Sequence, residues 1–583
     1  MNNKLIQRVV FDRAGLWLAL AAMLSVIAWR GWVVTQKPAH IQKIVEELAS
    51  IGDFNFGLTP NHSNTYVVFS QQTVTGVAFF FCDTTGGGRE KFLCEEPEKG
   101  YSWLPFGIKG WSPDDKLFAF CYPSDLAKYE DQIIIYDGSS GEVVTKLMGT
   151  AFMSDFTWLS PHSFAYSFWN GDTHDITVIE KKPDGDWVLA QTLKQIGNKE
   201  MTGMVATSPH SVAWRQGGDV WALDFNSPTP KKIWESTTNQ LMEFTYSSET
   251  HEFLLNCSDG KDRCLIRFRF NLRNKWTADA GSISNQMDSI HNVAWINNGV
   301  RYAYLSLEQG VSVFHIKTDV NTEPIDLPWR GCIENYVLNG DHLYIEGFRT
   351  NEAPGVWDYN IHSREPNLVV SVLEHPLRYA SIVGADTLVF TNSNGKQKRC
   401  LLWPPSHIAV GKKYPLIIGQ QPYAWWQACP QIAANGGCYF ALVDRPSWFE
   451  DLENWEDEVM KVYGLMAKNP NVDTNQVFLY GMSAETSYVS NLLSEKPDLW
   501  RGAILFNPTG TPDPSAIRIS SMLILDGTDD GDAIKRWTDY QNKAALEGIT
   551  VKLAYVEGAQ HVSHSTATEH QKSEEFARFL FGY

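Results

Sequence analysis

The sequence has few cysteines, 9 among 583 residues, and none of them stands at the spacing of a paired metal-ligand motif. Their number is odd and their density is low, which excludes a disulfide-rich scaffold. Buried, unbridged thiols are the simplest interpretation. We predict neither a metal site nor a cofactor.

Positive charge is also scarce, because 49 Lys and Arg face 67 Asp and Glu for a net charge of −18. Affinity for nucleic-acid backbones comes from clustered Lys and Arg. The composition therefore argues against a nucleic acid as the main partner.

Charge is nearly absent from GLWLALAAMLSVIAWRGWVV (15–34), which carries only Arg30. About 20 apolar residues are long enough to cross a hydrocarbon core. We predict a transmembrane anchor over residues 15–35, with tryptophans toward its ends, where indoles prefer the interface. A cleaved signal peptide is the alternative, although no clear small-x-small cleavage site follows the run.

Lys4, Arg8 and Arg13 precede this run, so the positive-inside rule places the tail 1–14 in the cytoplasm. Under either alternative, the remaining chain lies outside the cytoplasm, in a periplasmic or extracellular setting. We predict contact with the membrane through this helix.

Aromatic residues make up 13% of the chain, with 22 Trp, a usage typical of β-rich structure. After a predicted linker helix over 36–52, residues 53–395 show short strands with period-2 alternation, broken by turns. Similar strand–turn–strand segments begin near 106, 152, 204 and 291, at separations of 46, 52 and 87. A period of about 45 residues predicts a β-propeller of seven or eight blades.

From about 396 to 583, buried apolar strands alternate with helix patterns. This alternation predicts a parallel sheet with helices on both faces, an α/β domain. Functional groups in such a sheet gather at the carboxyl ends of its strands. Ser483 follows the strand QVFLYG (476–481), the acidic loop DGTDDGD (526–532) follows a later strand, and His561 follows the last one.

The order Ser, Asp, His is that of an α/β-hydrolase triad. A serine hydroxyl is a weak nucleophile until an imidazole accepts its proton. The imidazole in turn needs a carboxylate that fixes its tautomer. We therefore predict Ser483, Asp530 and His561 as the catalytic residues.

These motifs resemble the prolyl oligopeptidase family of serine peptidases, over nearly the whole chain after the apolar run. The block NVDTNQVFLYGMSAETSYVSNLLSEKPDLWRGAILFNP (471–508) is similar to the family's nucleophile region. LILDGTDDGDAI (523–534) resembles its acid loop and favours Asp530, with Asp529 as the near alternative. VEGAQHV (556–562) resembles its histidine segment and favours His561 over His564. The resemblance implies a propeller lying over a hydrolase domain, and a peptidase for short peptides.

The chain departs from the family at its nucleophile turn, because Glu485 stands where the family usually has glycine. Ala484 replaces a common aromatic residue, and Asp526-Gly527 replaces a common His-Gly. We predict the Ala484 N–H as one oxyanion donor, with the backbone near Gln420 or the hydroxyl of Tyr423 as the other. Two alternatives to a peptidase remain: an inactive hydrolase whose propeller binds a partner, and an esterase.

Overall fold

The structure is a computed structural model that describes the chain in segments. They are residues 39–49, 51, 58–72, 76–84, 90–97, 108–125, 130–148, 152–169, 173–197, 201–235, 240–247, 250–258, 263–269, 277–279, 291–295, 302–308, 311–317, 325–349, 351–373, 376–395, 397–422, 428–445, 455–528, 530–557, 559 and 566–582. The predicted tail 1–14 and anchor 15–35 lie outside these residues. Within them, no helix is both long and apolar enough to span a membrane.

Helix α1 occupies residues 39–49, inside the linker helix predicted for 36–52. Its apolar residues recur at helical spacing, which gives it one apolar face. Ile41, Ile44, Val45 and Leu48 are buried on that face, whereas Gln42 and Lys43 point outward. The helix buries this face in the same hydrophobic cluster as residues of the C-terminal half of the chain.

Seven four-stranded antiparallel sheets follow α1 in the described part of the chain. Each sheet uses four consecutive strands: β1 (Thr59–Pro60), β2 (Tyr66–Gln72), β3 (Gly76–Asp83) and β4 (Glu90–Pro97); β5 (Ile108–Trp111), β6 (Leu117–Asp125), β7 (Glu130–Asp137) and β8 (Val143–Met148); β9 (Phe152–Ser160), β10 (Ser163–Trp169), β11 (His174–Lys181) and β12 (Trp187–Gly197); β13 (Met201–Ser208), β14 (Ser211–Gln216), β15 (Asp219–Asp224) and β16 (Ser227–Trp234); β17 (Gln240–Ser247), β18 (Glu252–Ser258), β19 (Arg263–Arg269) and β20 (Thr277–Asp279); β21 (His291–Trp295), β22 (Tyr302–Glu308), β23 (Val311–Lys317) and β24 (Ile325–Trp329); β25 (Gly331–Asn339), β26 (His342–Arg349), β27 (Gly355–Asn360) and β28 (Pro366–Ser371).

The first strands of these sheets contact one another in a closed cycle. Strand β1 contacts β5, and the contacts continue through β9, β13, β17 and β21 to β25, which returns to β1. The sheets are therefore the blades of a seven-bladed propeller whose innermost strands surround the central axis. Aromatic side chains fill the spaces between blades: the Trp158 indole packs edge-on against Phe164 and donates a hydrogen bond of 2.8 Å to the Gly110 carbonyl of the preceding blade.

The four repeated segments of the sequence are the first two strands of the second, third, fourth and sixth blades. The wide separation of 87 residues between the last two segments holds the whole fifth blade, β17 to β20. Of the two predicted blade numbers, seven is therefore the one that the described strands form.

The C-terminal half contains an eight-stranded sheet in the order β29-β30-β32-β31-β33-β34-β35-β36. Its strands are β29 (Asp386–Thr391), β30 (Gln397–Trp403), β31 (Tyr414–Pro422), β32 (Tyr439–Arg445), β33 (Val472–Met482), β34 (Gly502–Phe506), β35 (Ser521–Gly527) and β36 (Thr550–Val556). Its helices are α2 (Ala428–Gly436), α3 (Trp455–Met466), α4 (Thr486–Glu495), α5 (Ala533–Leu546) and α6 (Thr566–Phe581). Strands β31 to β36 run parallel, and β30 is antiparallel to both of its neighbours.

Two hydrophobic clusters cover the two faces of this sheet. One contains buried residues of α1, α2 and α6, and the other contains buried residues of α3, α4 and α5. Because helices cover both faces of the sheet, the side chains on both sides of its central strands are buried, and the sequences of these strands are continuous apolar runs. The arrangement brings the carboxyl ends of β33, β35 and β36 to one edge of the sheet.

The predicted boundary between residues 395 and 396 cuts the β29–β30 hairpin, and both strands belong to the eight-stranded sheet. The sheet therefore begins at Asp386, ten residues before the predicted boundary. This edge pair is an antiparallel hairpin, as the strand pairs of a propeller blade are, so its sequence pattern did not mark the change of sheet.

Candidate active site

Ser483 lies where strand β33 ends and a tight turn leads into helix α4. Its backbone has φ +52°, the left-handed region that non-glycine residues rarely adopt. A short 3₁₀ turn spans Ser483–Glu485, and α4 starts at the next residue. A strained residue on a strand-to-helix turn is the geometry of a nucleophile elbow.

Gly481 allows the new helix to pack closely on the strand that precedes it. A Cβ atom at this position would lie 2.9 Å from Val489 Cγ2 and 3.3 Å from the Thr486 nitrogen. The glycine before the serine is therefore required by packing at the turn.

Glu485 is fully buried, yet the turn keeps its strand–3₁₀–helix form and α4 begins at Thr486. The chain thus accommodates this residue by burying it. Burial raises the pKa of the Tyr480 phenol well above its ordinary value, and the nearby Glu485 carboxyl adds to this rise.

Two threonines hold the backbone of Ser483 by hydrogen bonds, a role that the sequence analysis did not predict. The hydroxyl of Thr486 donates to the Ser483 carbonyl at 2.6 Å, and the hydroxyl of Thr509 donates to the same oxygen at 3.2 Å. The Thr509 N–H donates to the Thr486 hydroxyl at 3.2 Å. These hydrogen bonds connect the loop after β34 to the turn that carries Ser483.

Asp530 lies in the loop between β35 and α5, and its side chain is half-buried. Its N–H donates to the Gly527 carbonyl at 3.3 Å, and its own carbonyl accepts the N–H of Ala533 at 3.1 Å. Thr528, in the same loop, donates its N–H to Val556 at the end of β36. These bonds hold the acid loop beside the strand that precedes His561.

Asp526 is a buried carboxylate that the sequence marked only as a departure from the family. It has no exposed surface, and four donors surround it. Its Oδ1 accepts the Gly527 N–H at 2.9 Å and Asn507 Nδ2 at 3.1 Å. Its Oδ2 accepts Trp537 Nε1 at 2.6 Å and Arg536 Nη2 at 3.3 Å.

The other predicted site residues differ in what the structure describes of them. His561, Tyr423 and Asp529 lie outside the described residues. Gln420 lies on β31, paired with Val443 of β32, and Ala484 is exposed in the turn after Ser483. Neighbouring strands are spaced by about 4.8 Å, so the ends of β33 and β35, two strands apart, lie about 10 Å from each other.

The comparisons with known proteins agree with this architecture. No family model and no curated protein matches the sequence. Among solved structures, a prolyl endopeptidase superimposes with a TM-score of 0.68 at 14% identity, covering 94% of this chain and 91% of that chain. Pyrococcus horikoshii acylaminoacyl peptidase gives 0.66 at 11% identity, covering 91% and 95%. A Mycobacterium tuberculosis puromycin-hydrolysing peptidase gives 0.68 at 10% identity, covering 92% and 95%.

The fold is therefore that of a β-propeller joined to an α/β-hydrolase domain. More narrowly, it is the fold of the prolyl oligopeptidase family of serine peptidases, which confirms at the level of the fold the resemblance seen in the sequence.

Proposed function

We propose that the protein is a serine peptidase that hydrolyses short peptides. The observation that carries the proposal is the left-handed backbone of Ser483 on a strand-to-helix turn, at the sheet edge where the Asp530 loop also lies. The fold neighbours are named as peptidases, which supports a peptide substrate.

In the proposed mechanism, Ser483 Oγ attacks the scissile carbonyl while His561 accepts its proton. His561 then gives this proton to the leaving amine, and an acyl-enzyme on Ser483 remains. A water molecule, activated in the same way, releases the acid. Asp530 orients the imidazole and stabilises its protonated form.

The oxyanion formed in this attack needs two hydrogen-bond donors. The Ala484 N–H lies next to the nucleophile and is the first. The second comes from the loop after β31, through the backbone near Gln420 or the Tyr423 hydroxyl. Loss of one such donor typically costs about 10²–10³ in rate.

A fluorophosphonate probe tests the proposal, because it labels only an activated serine. We expect the wild-type protein to be labelled and Ser483→Ala to be unlabelled. Ser490→Ala is the matched control, since this serine lies in α4 and its hydroxyl donates to the Thr486 carbonyl. Labelling that persists in Ser483→Ala would contradict the proposal. A comparison of peptide anilides with simple esters then separates a peptidase from an esterase.

A second candidate function is a binding protein with an inactive hydrolase domain. The observation that favours it is the buried carboxyl of Glu485, one residue from the proposed oxyanion donor Ala484. A negative charge there would oppose a developing oxyanion. Absence of labelling in folded wild-type protein would favour this candidate.

We also propose that residues 15–35 anchor the protein in a membrane, with the bulk of the chain outside the cytoplasm. The apolar run and the basic residues before it support this proposal. We expect the full chain to stay in the membrane pellet after carbonate extraction, and a chain lacking residues 1–35 to be released. Release of the full chain would contradict the anchor.

A further inference from the structure

Asp526 connects three segments of the candidate active site. Asn507, one of its donors, follows β34 with a left-handed φ of +46°, and Thr509, two residues further along, donates to the Ser483 carbonyl. Trp537 and Arg536, the donors on the other oxygen, lie at the start of α5. That helix follows Asp530 directly, so one carboxylate contacts both the loop that braces the nucleophile and the helix that follows the acid.

The donors around Asp526 suit an ionised carboxylate. Three of its four donors, Gly527, Asn507 and Trp537, are buried residues. Trp537 is 2% exposed and Asn507 is 3% exposed. A carboxylate is an acceptor only, and it satisfies four donors at once. An asparagine at this position would direct its own NH₂ group toward two of these N–H donors.

Charged and titratable groups face Asp526 from each neighbouring element. They are Asp530 from the loop, Arg536 from α5 and Tyr555 from β36. Burial raises the pKa of Asp526 above its ordinary range, the hydrogen bond from Trp537 lowers it, and the charge of Asp530 raises it again. The charge of the Asp530 loop therefore acts on the ionisation of Asp526.

We propose that Asp526 is a positioning residue of the hydrolase. Its hydrogen bonds set the position of the Asp530 loop against the turn that carries Ser483, and its charge adds to the negative charge around that loop. The inference rests on the proposed function. In the proposed function Asp530 holds the base His561, and a second carboxylate beside Asp530 stabilises the protonated form of that base further. The charge of Asp526 thus acts on the base through the electrostatics of the site, without touching the substrate.

The test is the pH dependence of fluorophosphonate labelling between about pH 5 and 9. Removing a negative charge lowers the pKa of a nearby base. In Asp526→Asn we expect labelling to slow by about tenfold or more and its acidic limb to move down by about half a pH unit. Asp532→Asn is the matched control, because this carboxyl lies in the same loop but is exposed.

Arg536→Gln supplies a second, independent variant. The Arg536 side chain is 38% exposed, so its replacement leaves the core intact. Loss of this positive charge leaves Asp526 less neutralised, and we expect the acidic limb to move up. A purely structural role for Asp526 would not produce limb shifts of opposite sign in these two variants.

A readout that does not need activity is the indole N–H resonance of Trp537, assigned with Trp537→Phe. We expect a downfield resonance in the wild type that moves upfield in Asp526→Asn. If the wild type is labelled but both variants keep its pH limbs, the positioning role is wrong and the proposed function stands. If the wild type is not labelled, the proposed function fails and the positioning role fails with it.

Discussion

Ser483 holds a backbone conformation that is costly for a residue with a side chain. Left-handed geometry at a non-glycine residue costs on the order of 1–3 kcal/mol and persists only where the surroundings enforce it. Here the surroundings are the close packing at Gly481 and the hydroxyl groups of Thr486 and Thr509. These contacts hold the serine at the edge of the sheet in a single orientation.

Thr486→Val should lower the free energy of unfolding by about 1–2 kcal/mol, because it removes a buried hydrogen bond to Ser483 and the acceptor of the Thr509 N–H. Urea unfolding of the purified protein measures this change. Thr538→Val is the matched control, since its hydroxyl donates to the Ile534 carbonyl on the exposed face of α5. We expect the control to change stability by less than about 0.5 kcal/mol. Equal losses in the two variants would contradict a special role for Thr486.

Site residues that are close together in the sequence could be predicted from it, whereas contacts between residues far apart in the sequence could not. Gly481 and Ser483 stand two residues apart, so the turn could be predicted from the motif alone. Thr509 lies 26 residues after Ser483, and Asn507 lies 19 residues before Asp526. Their contacts depend on which strands are neighbours in the sheet, and the separation of residues along the sequence does not predict that strand order.

Helix α1 fixes the segment that joins the propeller to the hydrolase sheet. The Glu47 carboxylate accepts three consecutive backbone N–H groups, from Arg378 and Tyr379 at 2.7 Å each and from Ala380 at 2.8 Å. Lys43, one turn earlier, lies 4.6 Å from the centre of the Tyr379 ring. A short helix near the N-terminus thus sets the position of a linker more than 300 residues away.

Glu47→Gln should destabilise the protein by about 1 kcal/mol at pH 7, a value reduced for the solvent exposure of the site. Burial opposes ionisation of Glu47, but the three N–H groups lower its pKa below the ordinary 4.5. A lowered pKa means that the stabilisation is complete above pH 4.5 and is lost as the pH falls through the folded-state value. The difference between variant and wild type should therefore shrink below pH 4.5.

Glu46→Gln is the control for this helix, because Glu46 is exposed and its carboxylate accepts an exposed hydrogen bond from Gln42. We expect no change of its unfolding midpoint at either pH. A Glu47→Gln difference that is constant from pH 7 to 4 would rule out the carboxylate as the cause.

The sequence pattern predicted the strands of the propeller but not the residue at which the propeller ends. The repeated segments predicted the blades because each pairs apolar strands with a turn of fixed chemistry. Strands β29 and β30 form a hairpin of the same kind at the edge of the eight-stranded sheet, and the predicted boundary lies inside that hairpin. A hairpin pattern indicates that two neighbouring strands pair, and it does not indicate which sheet the pair joins.

The propeller ring closes between its first and seventh blades without an exchanged strand, since each described blade is built from consecutive strands. Side chains make the junction instead. Asn339 Nδ2 donates to the Asn61 carbonyl and, at 2.6 Å, to Asn64 Oδ1, while Asn64 Nδ2 donates to the Asn339 carbonyl at 3.2 Å. Asn339 and Asn61 are both buried, so the bond between them is shielded from water, whereas the two bonds with Asn64 are partly buried.

Asn339→Ala should cost about 1–2 kcal/mol of stability, because it removes the two hydrogen bonds that the Asn339 side chain donates across the junction. Hydrogen exchange should become faster in β2 and in β26, on the two sides of the junction. Asn226→Ala is the control, since Asn226 is exposed in the β15–β16 turn and only its N–H is bonded there. Unchanged exchange in both strands would mean that other contacts close the ring.

The packing of α1 has a consequence for how the protein is made. Residues such as Ile41 and Ile44 share a hydrophobic cluster with Phe576 and Ala577 of α6. On the ribosome, α1 emerges well before α6, and the seven blades, each contiguous in sequence, emerge between them. The hydrophobic cluster that buries the apolar face of α1 is therefore incomplete until α6 has been made, so this face stays partly uncovered while the residues in between are synthesised.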